Sequence, residues 1–458
     1  MCSPQSEPSP STERGLTALL IVLAAALAAA QQPDAVPPAG GTFDVRHYAV
    51  TLDLAVAEGT ITGTERIELT VDQPTSSLVF DSGALTIDSV RALQVGTASG
   101  GTALPFRQAA QRLIVTLPVP ARAGDQRRLD IAYHGAPRTG LTLLAKRAQA
   151  YTTFSTSQWM PAVNAPEDRA TLDLEVSMPA GWRAAGNGRE VERRSKGAKA
   201  VYRWRQARET ASFLFGFVAG NFAEATGRRG NVSLRYLGSP FSSGELHRIF
   251  RDTPDMLAFF EERAGLPYPG DSYTQALVAT SGGQELAGLS HMSEEYGRSV
   301  FDDFSATGLM AHELAHQWWG DLLTNRDWTH FWLNEGFATF MASAYKERAR
   351  GREAYLADVD AWRRRVEQLR AAGHDRPLVF PDWNRPTADD RAVVYQKGAL
   401  ALHELRELLG DTAFWTAVRA YTKAHAGQSV TSPDLQRAFE ASSGRDLRAF
   451  FDEWVRPR

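Results

Sequence analysis

The stretch His312-Glu313-Leu314-Ala315-His316 carries the most specific pattern in this 458-residue chain. Residues four apart lie on one face of a helix, so His312 and His316 can direct two imidazole nitrogens at one point. Two imidazoles and a carboxylate form a ligand set that binds Zn²⁺ and leaves a fourth position to water. Asn334-Glu335-Gly336 follows, and Glu335 is the candidate third ligand. Glu313 projects from the same turn as the histidines, where it can take a proton from that water.

The residues around the two histidines predict a buried helix. A buried pair of imidazoles without a partner is costly, and a bound metal is one way to satisfy it. The alternative is an exposed helix with two surface histidines and a solvated glutamate. Leu333 to Arg348 is predicted to be the second helix, with Asn334 as its N-cap and Glu335 in its first turn. The apolar residues on the first helix are Leu309, Met310, Leu314, Ala315, Trp318 and Trp319.

The composition is that of an ordinary globular protein, with 43% hydrophobic and 22% charged residues. The length is enough for two or three domains. A net charge of −3 argues against binding of nucleic acid through bulk electrostatics. The only cysteine is Cys2, so the mature chain is expected to contain neither a disulfide nor a thiol nucleophile. The metal must therefore be held by histidine and carboxylate.

Residues 1–30 are predicted to be a signal peptide. Gly15 to Ala30 is an uncharged run rich in alanine and leucine, short for a membrane-spanning helix, and Ala28-Ala29-Ala30 supplies small residues for cleavage. Residues 31–42, rich in proline and glycine towards their end, are predicted to be a linker. The protein is thus expected to be exported to the periplasm or secreted, with no stable membrane span after cleavage. The alternative is an uncleaved N-terminal anchor.

The pattern of the chain changes near residue 228. Between residues 43 and 228, short alternating runs such as Tyr48 to Val56 and Thr64 to Val71 predict an antiparallel, β-sandwich-like domain. After Gly227 to Gly230 there is one further strand-like run, and helical patterns then dominate. Residues 229–458 are therefore predicted to form an α+β domain.

Four blocks resemble the signature sequences of the M1 family of zinc aminopeptidases, the gluzincins similar to aminopeptidase N. The resemblance covers roughly residues 43–458 and implies a thermolysin-like fold for the second domain. It also implies one Zn²⁺ on His312, His316 and Glu335, with Glu313 as general base. The four blocks are His316 to Asp321, Trp332 to Ala338, Val394 to Ala399, and Phe451 to Val455.

The resemblance assigns three further roles. Tyr395 would stabilise the substrate oxygen during the reaction, the alternative being a structural core tyrosine. The family's exopeptidase motif, usually G-[A/G]-M-E-N, corresponds here to Gly282-Gly283-Gln284-Glu285-Leu286, so its Met and Asn are replaced. Glu285 would pair with the α-ammonium group of the substrate beside Gly282 and Gly283, unless it is a solvated loop carboxylate. Gln158 would line the pocket for the first side chain, unless it is an ordinary loop glutamine.

The resemblance predicts a zinc-dependent aminopeptidase that acts on peptides with a free N-terminus. The sequence ends at Arg458, where many members continue into a β-domain and a helical cap, so a short form with a more open cleft is expected. An open-cleft zinc endopeptidase, an epoxide hydrolase and a non-enzymatic binding protein are the alternatives. Neither the preferred first residue nor the oligomeric state is predicted.

Overall fold

The structure, a computed structural model, describes residues 36–93, 101–380 and 386–456. The predicted signal peptide lies outside the described residues, as do residues 31–35 of the predicted linker. Ala39–Arg458 forms one compact unit. Across the described part of the chain, no helix combines the length and the apolar composition needed to cross a membrane.

The N-terminal half is built from strands in which buried and exposed residues alternate, as expected where one face of a sheet covers a core. The strands among its described residues are β1 (Phe43–Ala55), β2 (Thr60–Val71), β3 (Thr75–Asp81), β4 (Thr86–Leu93), β5 (Thr102–Ala103), β6 (Phe106–Ala109), β7 (Arg112–Ala121), β8 (Gln126–Gly135), β9 (Leu141–Leu144), β10 (Gln149–Thr152), β11 (Arg169–Pro179), β12 (Arg183–Gly186), β13 (Arg189–Lys196), β14 (Lys199–Ala211) and β15 (Phe217–Gly220). They form sheets in the orders β13-β14-β11-β1-β2-β8-β4-β5, β3-β7-β6 and β12-β15-β10-β9.

One strand pair in this half differs from the antiparallel prediction. β1 and β11 run parallel, with His47 opposite Thr171, whereas β1 and β2 are antiparallel neighbours. A parallel pair needs a long connection between its strands, and here more than a hundred residues separate the two strands. Local alternation predicts each strand but cannot reveal a partner so distant in the sequence.

A buried glutamate in β2 gives this half a testable pH dependence. Glu65 is 2% exposed, and neither carboxylate oxygen has a hydrogen-bond partner among the described residues. Burial raises the pKa of Glu65 well above its ordinary value of 4.5. Since the folded state holds this proton more tightly, the associated stability is present below pH 4.5 and is lost as the pH rises towards the folded-state pKa.

Glu65→Gln is therefore expected to raise the free energy of unfolding by about 1–3 kcal/mol at pH 8 and to change it little at pH 4.5. Denaturant unfolding at both pH values measures the difference. Glu192→Gln, at a side chain 45% exposed in β13, is the control and should be neutral at both. An equal gain at the two pH values would show that ionisation of Glu65 is not the cause.

The second half opens with a five-stranded sheet in the order β16-β17-β18-β20-β19. β17, β18 and β20 run parallel, and β19 pairs antiparallel with β20 at the edge. The predicted domain boundary between residues 228 and 229 falls inside β16, which pairs with β17. The strands are β16 (Ala223–Arg229), β17 (Val232–Gly238), β18 (Ser272–Val278), β19 (Gly283–Leu286) and β20 (Leu289–Ser293), with the short pair β21 (Thr324–Asn325) and β22 (Ser429–Val430).

Helices account for most of the remaining chain. The pattern from Gly244 to Ala264 predicts one helix, but the structure has two, since Pro254 lacks the N–H group that a helix interior requires and lies in a new first turn. The helices are α1 (Ser243–Ile249), α2 (Thr253–Ala264), α3 (Glu294–Asp302), α4 (Gly308–Ala315), α5 (Trp332–Arg350), α6 (Arg352–Ala371), α7 (Ala388–Ala392), α8 (Gly398–Leu409), α9 (Asp411–Ala424), α10 (Ser432–Ser443) and α11 (Arg448–Trp454), with a π-helix at Val393–Lys397.

Buried polar contacts join the two halves. Asn187 Nδ2 donates to Ala287 O at 2.8 Å, and Gln149 Nε2 donates to Glu294 Oε1 at 2.7 Å. Arg169 Nη2 donates to Asp321 O at 3.2 Å, five residues beyond His316 in the sequence. Because each contact satisfies a group that burial would otherwise leave unpaired, the N-terminal half is held in a defined position against the site.

Candidate active site

The two histidines of the motif converge as predicted. His312 lies in α4, and His316 follows its last residue, with the His316 N–H donating to His312 O at 3.2 Å. Their Nε2 atoms are 3.0 Å apart and the rings are nearly perpendicular, at 87°. The side chain of His312 is 13% exposed and that of His316 1% exposed. The alternative of two surface histidines is therefore wrong.

Glu335 completes the group from α5. Its Oε2 lies 3.2 Å from His312 Nε2 and 3.4 Å from His316 Nε2. The three ligand atoms lie within 4.8 Å of one another, and they are the one such group of three found among the described residues. Glu335 is in the first turn of α5 as predicted, but Asn334 is not the N-cap: the helix begins at Trp332, because the Asn334 N–H already donates to Phe331 O.

The hydrogen bonds around His316 suit metal binding. His316 Nδ1 lies 3.1 Å from Trp319 O, and a carbonyl oxygen can only accept, so Nδ1 carries the proton. When the ring is neutral, Nε2 carries the lone pair available to a metal ion, and this atom lies 3.4 Å from Glu335 Oε2. A ring nitrogen that donates to a backbone carbonyl is the usual arrangement behind a metal-bound histidine.

The charge balance of the site also calls for a cation. Glu285, Glu313 and Glu335 are each no more than 6% exposed. Burial raises the pKa of Glu313 well above its ordinary range, and the carboxylate of Glu285 acts in the same direction. Although burial alone would raise it, the two imidazoles hold the pKa of Glu335 below its usual range. One divalent ion on the two histidines and Glu335 would offset this concentration of buried negative charge.

Glu313 lies against the edge strand β19. A Cβ atom added to Gly283 would lie 2.0 Å from Glu313 Oε1, so the carboxylate occupies space that the absence of a side chain leaves open. Its other oxygen, Oε2, has no hydrogen-bond partner among the described residues. A buried carboxylate that is not a ligand and has a free oxygen beside the metal group is placed to accept a proton.

Glu285 lies in the same edge strand and is 6% exposed, so it is not a solvated loop carboxylate. Alternate residues of a strand share one face, which puts Gly283 and Glu285 on the side of Glu313. Burial raises the pKa of Glu285; the charge of His316 opposes that shift and the charge of Glu335 reinforces it. The predicted amine anchor and the metal group therefore share one site.

Tyr395 reaches the site from the π-helix at Val393–Lys397. Its ring stacks on that of His312, with centroids 5.8 Å apart and an interplanar angle of 9°. Burial, followed by the carboxylates of Glu335 and Glu285, raises the pKa of Tyr395, so its hydroxyl remains a hydrogen-bond donor. An extra residue in a helical turn rotates the side chains that follow, and π-helical turns often occur at functional sites for this reason.

Two glycines let the elements that carry Glu335 and Tyr395 approach closely. A Cβ atom on Gly336 would lie 3.0 Å from Gly398 Cα and 3.2 Å from Val394 O. Both neighbours are backbone atoms, so the contact cannot be relieved by moving a side chain. Gly336, which follows Glu335 in α5, and Gly398, the first residue of α8, thus have a packing role.

Gly336→Ala is expected to lower the free energy of unfolding by about 1–3 kcal/mol, because the added methyl group forces α5 and α8 apart. Activity should fall with it, since Glu335 and Tyr395 lie on the two displaced segments. Thermal unfolding and kcat/KM measure the two effects. Gly308→Ala in α4, where an added Cβ meets no atom within 4 Å, is the matched control. Unchanged stability in Gly336→Ala would contradict the close approach.

Gln158 lies at the end of a 3₁₀ turn, with its side chain against Gly83. It lines a cavity of about 580 Å³ together with Phe154, Phe213 and Trp328. Phe154 connects this cavity with β19, because it lines the cavity and its N–H donates to Gln284 Oε1 at 3.0 Å. The assignment of Gln158 to the first side chain stays a prediction.

Two family models match this chain. Residues 45–214 match the peptidase M1 N-terminal domain, and residues 250–454 match the peptidase family M1 domain. The chain belongs to peptidase family M1. The predicted family is confirmed, and so is the predicted order of a β-rich domain followed by an α+β peptidase domain. Both matched ranges fall inside the predicted domains.

Named relatives of this M1 chain are longer proteins. It is 26% identical over 442 residues to aminopeptidase N of Streptomyces lividans, covering 90% of this chain and 50% of the relative. It is 30% identical over 316 residues to aminopeptidase N of Lactococcus lactis, covering 64% of this chain and 37% of the relative. The chain thus spans about half or less of the length of these curated relatives.

Solved structures of similar length are also M1 zinc metallopeptidases. The enzyme from Deinococcus radiodurans superposes with a TM-score of 0.76 at 26% identity, covering 91% of this chain and 95% of that one. A glutamate-to-alanine mutant of a two-domain M1 zinc metallopeptidase, bound to L-tryptophan, gives 0.77 at 26% identity, covering 92% and 96%. M1 zinc metallopeptidases use one zinc ion, which confirms the predicted cofactor.

Sequence reasoning missed the packing role of the Gly336 and Gly398 pair and the contacts of Phe154 and Gln284. Both glycines lie in the sequence motifs, but only the tertiary structure shows that their helices approach closely. The sequence did contain a signal for Gln284, because this residue replaces the usual methionine of the motif directly before Glu285.

Proposed function

We propose that this protein is a zinc-dependent aminopeptidase that removes N-terminal residues from peptides. The observation that carries the proposal is the buried carboxylate of Glu285 on edge strand β19, beside Glu313 and the histidine pair. A carboxylate so placed is a partner for the α-ammonium group of a peptide whose first amide bond lies at the metal. The aminopeptidases among its relatives, and a neighbouring M1 structure solved with a Tyr-Ser-Ala substrate, support this function over an endopeptidase or an epoxide hydrolase.

His312, His316 and Glu335 would hold the zinc ion. When bound there, zinc supplies Lewis-acid chemistry by polarising the attacking water and the scissile carbonyl. Glu313 accepts a proton from that water as the oxygen attacks the carbonyl carbon. It then delivers the proton to the departing nitrogen as the C–N bond breaks, so the released peptide leaves as a neutral amine. Glu285 holds the α-ammonium group and thereby limits cleavage to the first peptide bond.

Tyr395 donates a hydrogen bond to the carbonyl oxygen as negative charge develops on it. Tyr395→Phe is expected to lower kcat about 100-fold with little change in KM, because a donor that acts mainly in the transition state contributes about 3 kcal/mol. Steady-state kinetics measure both constants. Tyr355→Phe, at a buried tyrosine that hydrogen-bonds to His403, is the control and should leave kcat unchanged. Equal losses in the two variants would make Tyr395 a structural residue.

The deciding experiment measures turnover of dipeptides by the purified full chain. The dipeptides carry free or acetylated N-termini, and each is assayed with and without a chelator. Chelator-sensitive cleavage of the free-amine substrates only, restored by added zinc, is the expected result. Equal cleavage of acetylated substrates would support the endopeptidase alternative. Hydrolysis of an epoxide but of no peptide would support the epoxide hydrolase. If the zinc-loaded protein turns over none of these substrates, the result would support the non-enzymatic binding protein.

The cavity beside Gln158 would receive the first side chain of the substrate. One wall of the cavity, formed by Phe154, Phe213 and Trp328, suits a large apolar residue, while polar and charged residues that include Asp81 and Arg112 line the remainder. Ranking the free-amine dipeptides by first residue, for the wild type and Gln158→Ala, tests this assignment. An unchanged ranking would remove Gln158 from the pocket.

Export is part of the proposal and rests on the apolar run from Gly15 to Ala30. N-terminal sequencing of protein recovered from cell fractions tests it. A mature N-terminus near Gln31 in the periplasm or medium supports a cleaved signal peptide, whereas an intact chain in the membrane fraction supports an anchor.

A further inference from the structure

Gln284 stands immediately before Glu285, where the usual M1 exopeptidase motif has methionine. It is 5% exposed, so its amide lies in the protein interior and needs partners. The chain differs from the usual motif on both sides of the glutamate, since Gln284 replaces methionine and Leu286 replaces asparagine. An amide side chain therefore still neighbours Glu285, but it precedes the glutamate where the family motif places it after.

Both ends of the Gln284 amide are hydrogen-bonded. Phe154 N–H donates to Oε1 at 3.0 Å, and Nε2 donates to Glu285 Oε2 at 2.7 Å. A backbone N–H can only donate and a carboxylate is an acceptor, so the amide can satisfy both partners in one orientation only. A methionine side chain has no donor for Glu285 and only a weakly accepting sulfur for the Phe154 N–H.

The first of these partners, Phe154, lies in the N-terminal half and packs on aromatic residues from both halves. Phe154 has φ +40°, a left-handed conformation that is unfavourable for a bulky side chain. Its ring packs against Phe213 and Trp328, each with centroids 5.3 Å away. The packed ring keeps the backbone in this conformation, and the backbone in turn keeps its N–H directed at Gln284.

We propose that Gln284 is a positioning residue that holds the Glu285 carboxylate in the orientation needed to bind the substrate's α-ammonium group. The bond from the Phe154 N–H fixes the Gln284 amide, and the bond from this amide to Oε2 then fixes the Glu285 carboxylate. A carboxylate held at one oxygen cannot turn away when the ammonium group of a substrate approaches its other oxygen. The proposal rests on the aminopeptidase function proposed above.

The test compares wild type, Gln284→Met and Gln284→Glu on matched free-amine and acetylated peptides, with zinc content and thermal unfolding recorded for each. Gln284→Met should raise KM for free-amine substrates about tenfold at nearly constant kcat. Gln284→Glu, which keeps the shape but replaces the donor with a second carboxylate, should raise it at least as much. Turnover of acetylated peptides, which have no α-ammonium group for Glu285 to bind, should be the same in these variants as in the wild type. If Gln284→Met fails to fold, Gln284→Glu decides the outcome.

Two controls separate positioning from packing. Gln275→Met removes another buried glutamine, in β18 of the same sheet, and should leave KM for free-amine substrates unchanged. In a Glu285→Ala background, Gln284→Met should cause no further loss of selectivity for free amines, because the group that it positions is gone. A loss of the same size with and without Glu285 would overturn the proposal.

The outcomes distinguish this inference from the proposed function. If the wild type prefers free amines and Gln284→Met keeps that preference, the inference alone is wrong. If the wild type cleaves acetylated peptides equally well, the aminopeptidase function is wrong, and the positioning role falls with it. Equal losses on both substrate classes in Gln284→Met would mean that the residue is structural.

Discussion

Replacing Glu313 with glutamine is expected to lower kcat by roughly two to four orders of magnitude while the protein keeps its zinc. Glu313 is 4% exposed, lies against Gly283 and is not one of the three metal ligands. Glutamine fills the same space but cannot accept the proton of the attacking water. The variant therefore loses proton transfer from the water but keeps the zinc site.

Steady-state kinetics and the zinc content per chain test this expectation together. Glu367→Gln, at an exposed position of α6, is the matched control and should behave as wild type. Near-normal turnover in Glu313→Gln would remove the general-base role. Loss of zinc in the same variant would mean instead that Glu313 supports the ligands.

Replacing His316 with alanine is expected to abolish both zinc binding and peptide hydrolysis. His316 is 1% exposed, and its Nε2 lies within 3.4 Å of Glu335 Oε2 and 3.0 Å from His312 Nε2. Two remaining ligands cannot hold zinc in the coordination that a catalytic site needs. The variant also leaves Glu335 buried without one of the imidazoles that stabilise its charge.

Thermal unfolding gives a readout that does not depend on activity. A ligand that binds only the folded state stabilises it by about 1.4 kcal/mol for each tenfold rise in free ligand above Kd. Added zinc should therefore raise the Tm of the metal-depleted wild type and leave that of His316→Ala unchanged. His134→Ala, at a side chain 54% exposed in β8, should respond like wild type. A zinc-dependent Tm in His316→Ala would exclude His316 as a ligand.

The N-terminal half contributes to the site as well as packing against it. The Phe154 backbone belongs to this half, and it reaches Gln284 across 130 positions of sequence. His291 of β20 likewise lies 2.8 Å from Thr152 O through its Nε2. Burial lowers the pKa of His291 to about 4, so this histidine is neutral and structural at physiological pH. The edge strand that carries Glu285 is thus positioned from both halves.

The sequence by itself predicted the two histidine ligands and the general base, and it determined the type of each domain. Each of these depends on spacing along a single element: four residues bring His312 and His316 to one helix face, and alternation marks the strands. The predicted helix after the motif supplied Glu335 as the candidate third ligand, and motif resemblance added Tyr395 and Glu285, which local spacing alone could not have joined to the histidines.

Only the tertiary structure decided how these elements meet. It gave α5 the N-cap Phe331 instead of Asn334, paired β1 with β11, and brought Gly336 and Gly398 so close that a Cβ atom added to Gly336 would lie 3.0 Å from Gly398 Cα. It also buried Gln284 between Phe154 and Glu285. These features depend on packing between residues far apart in the chain, and the periodicity of a single segment carries no information about such partners.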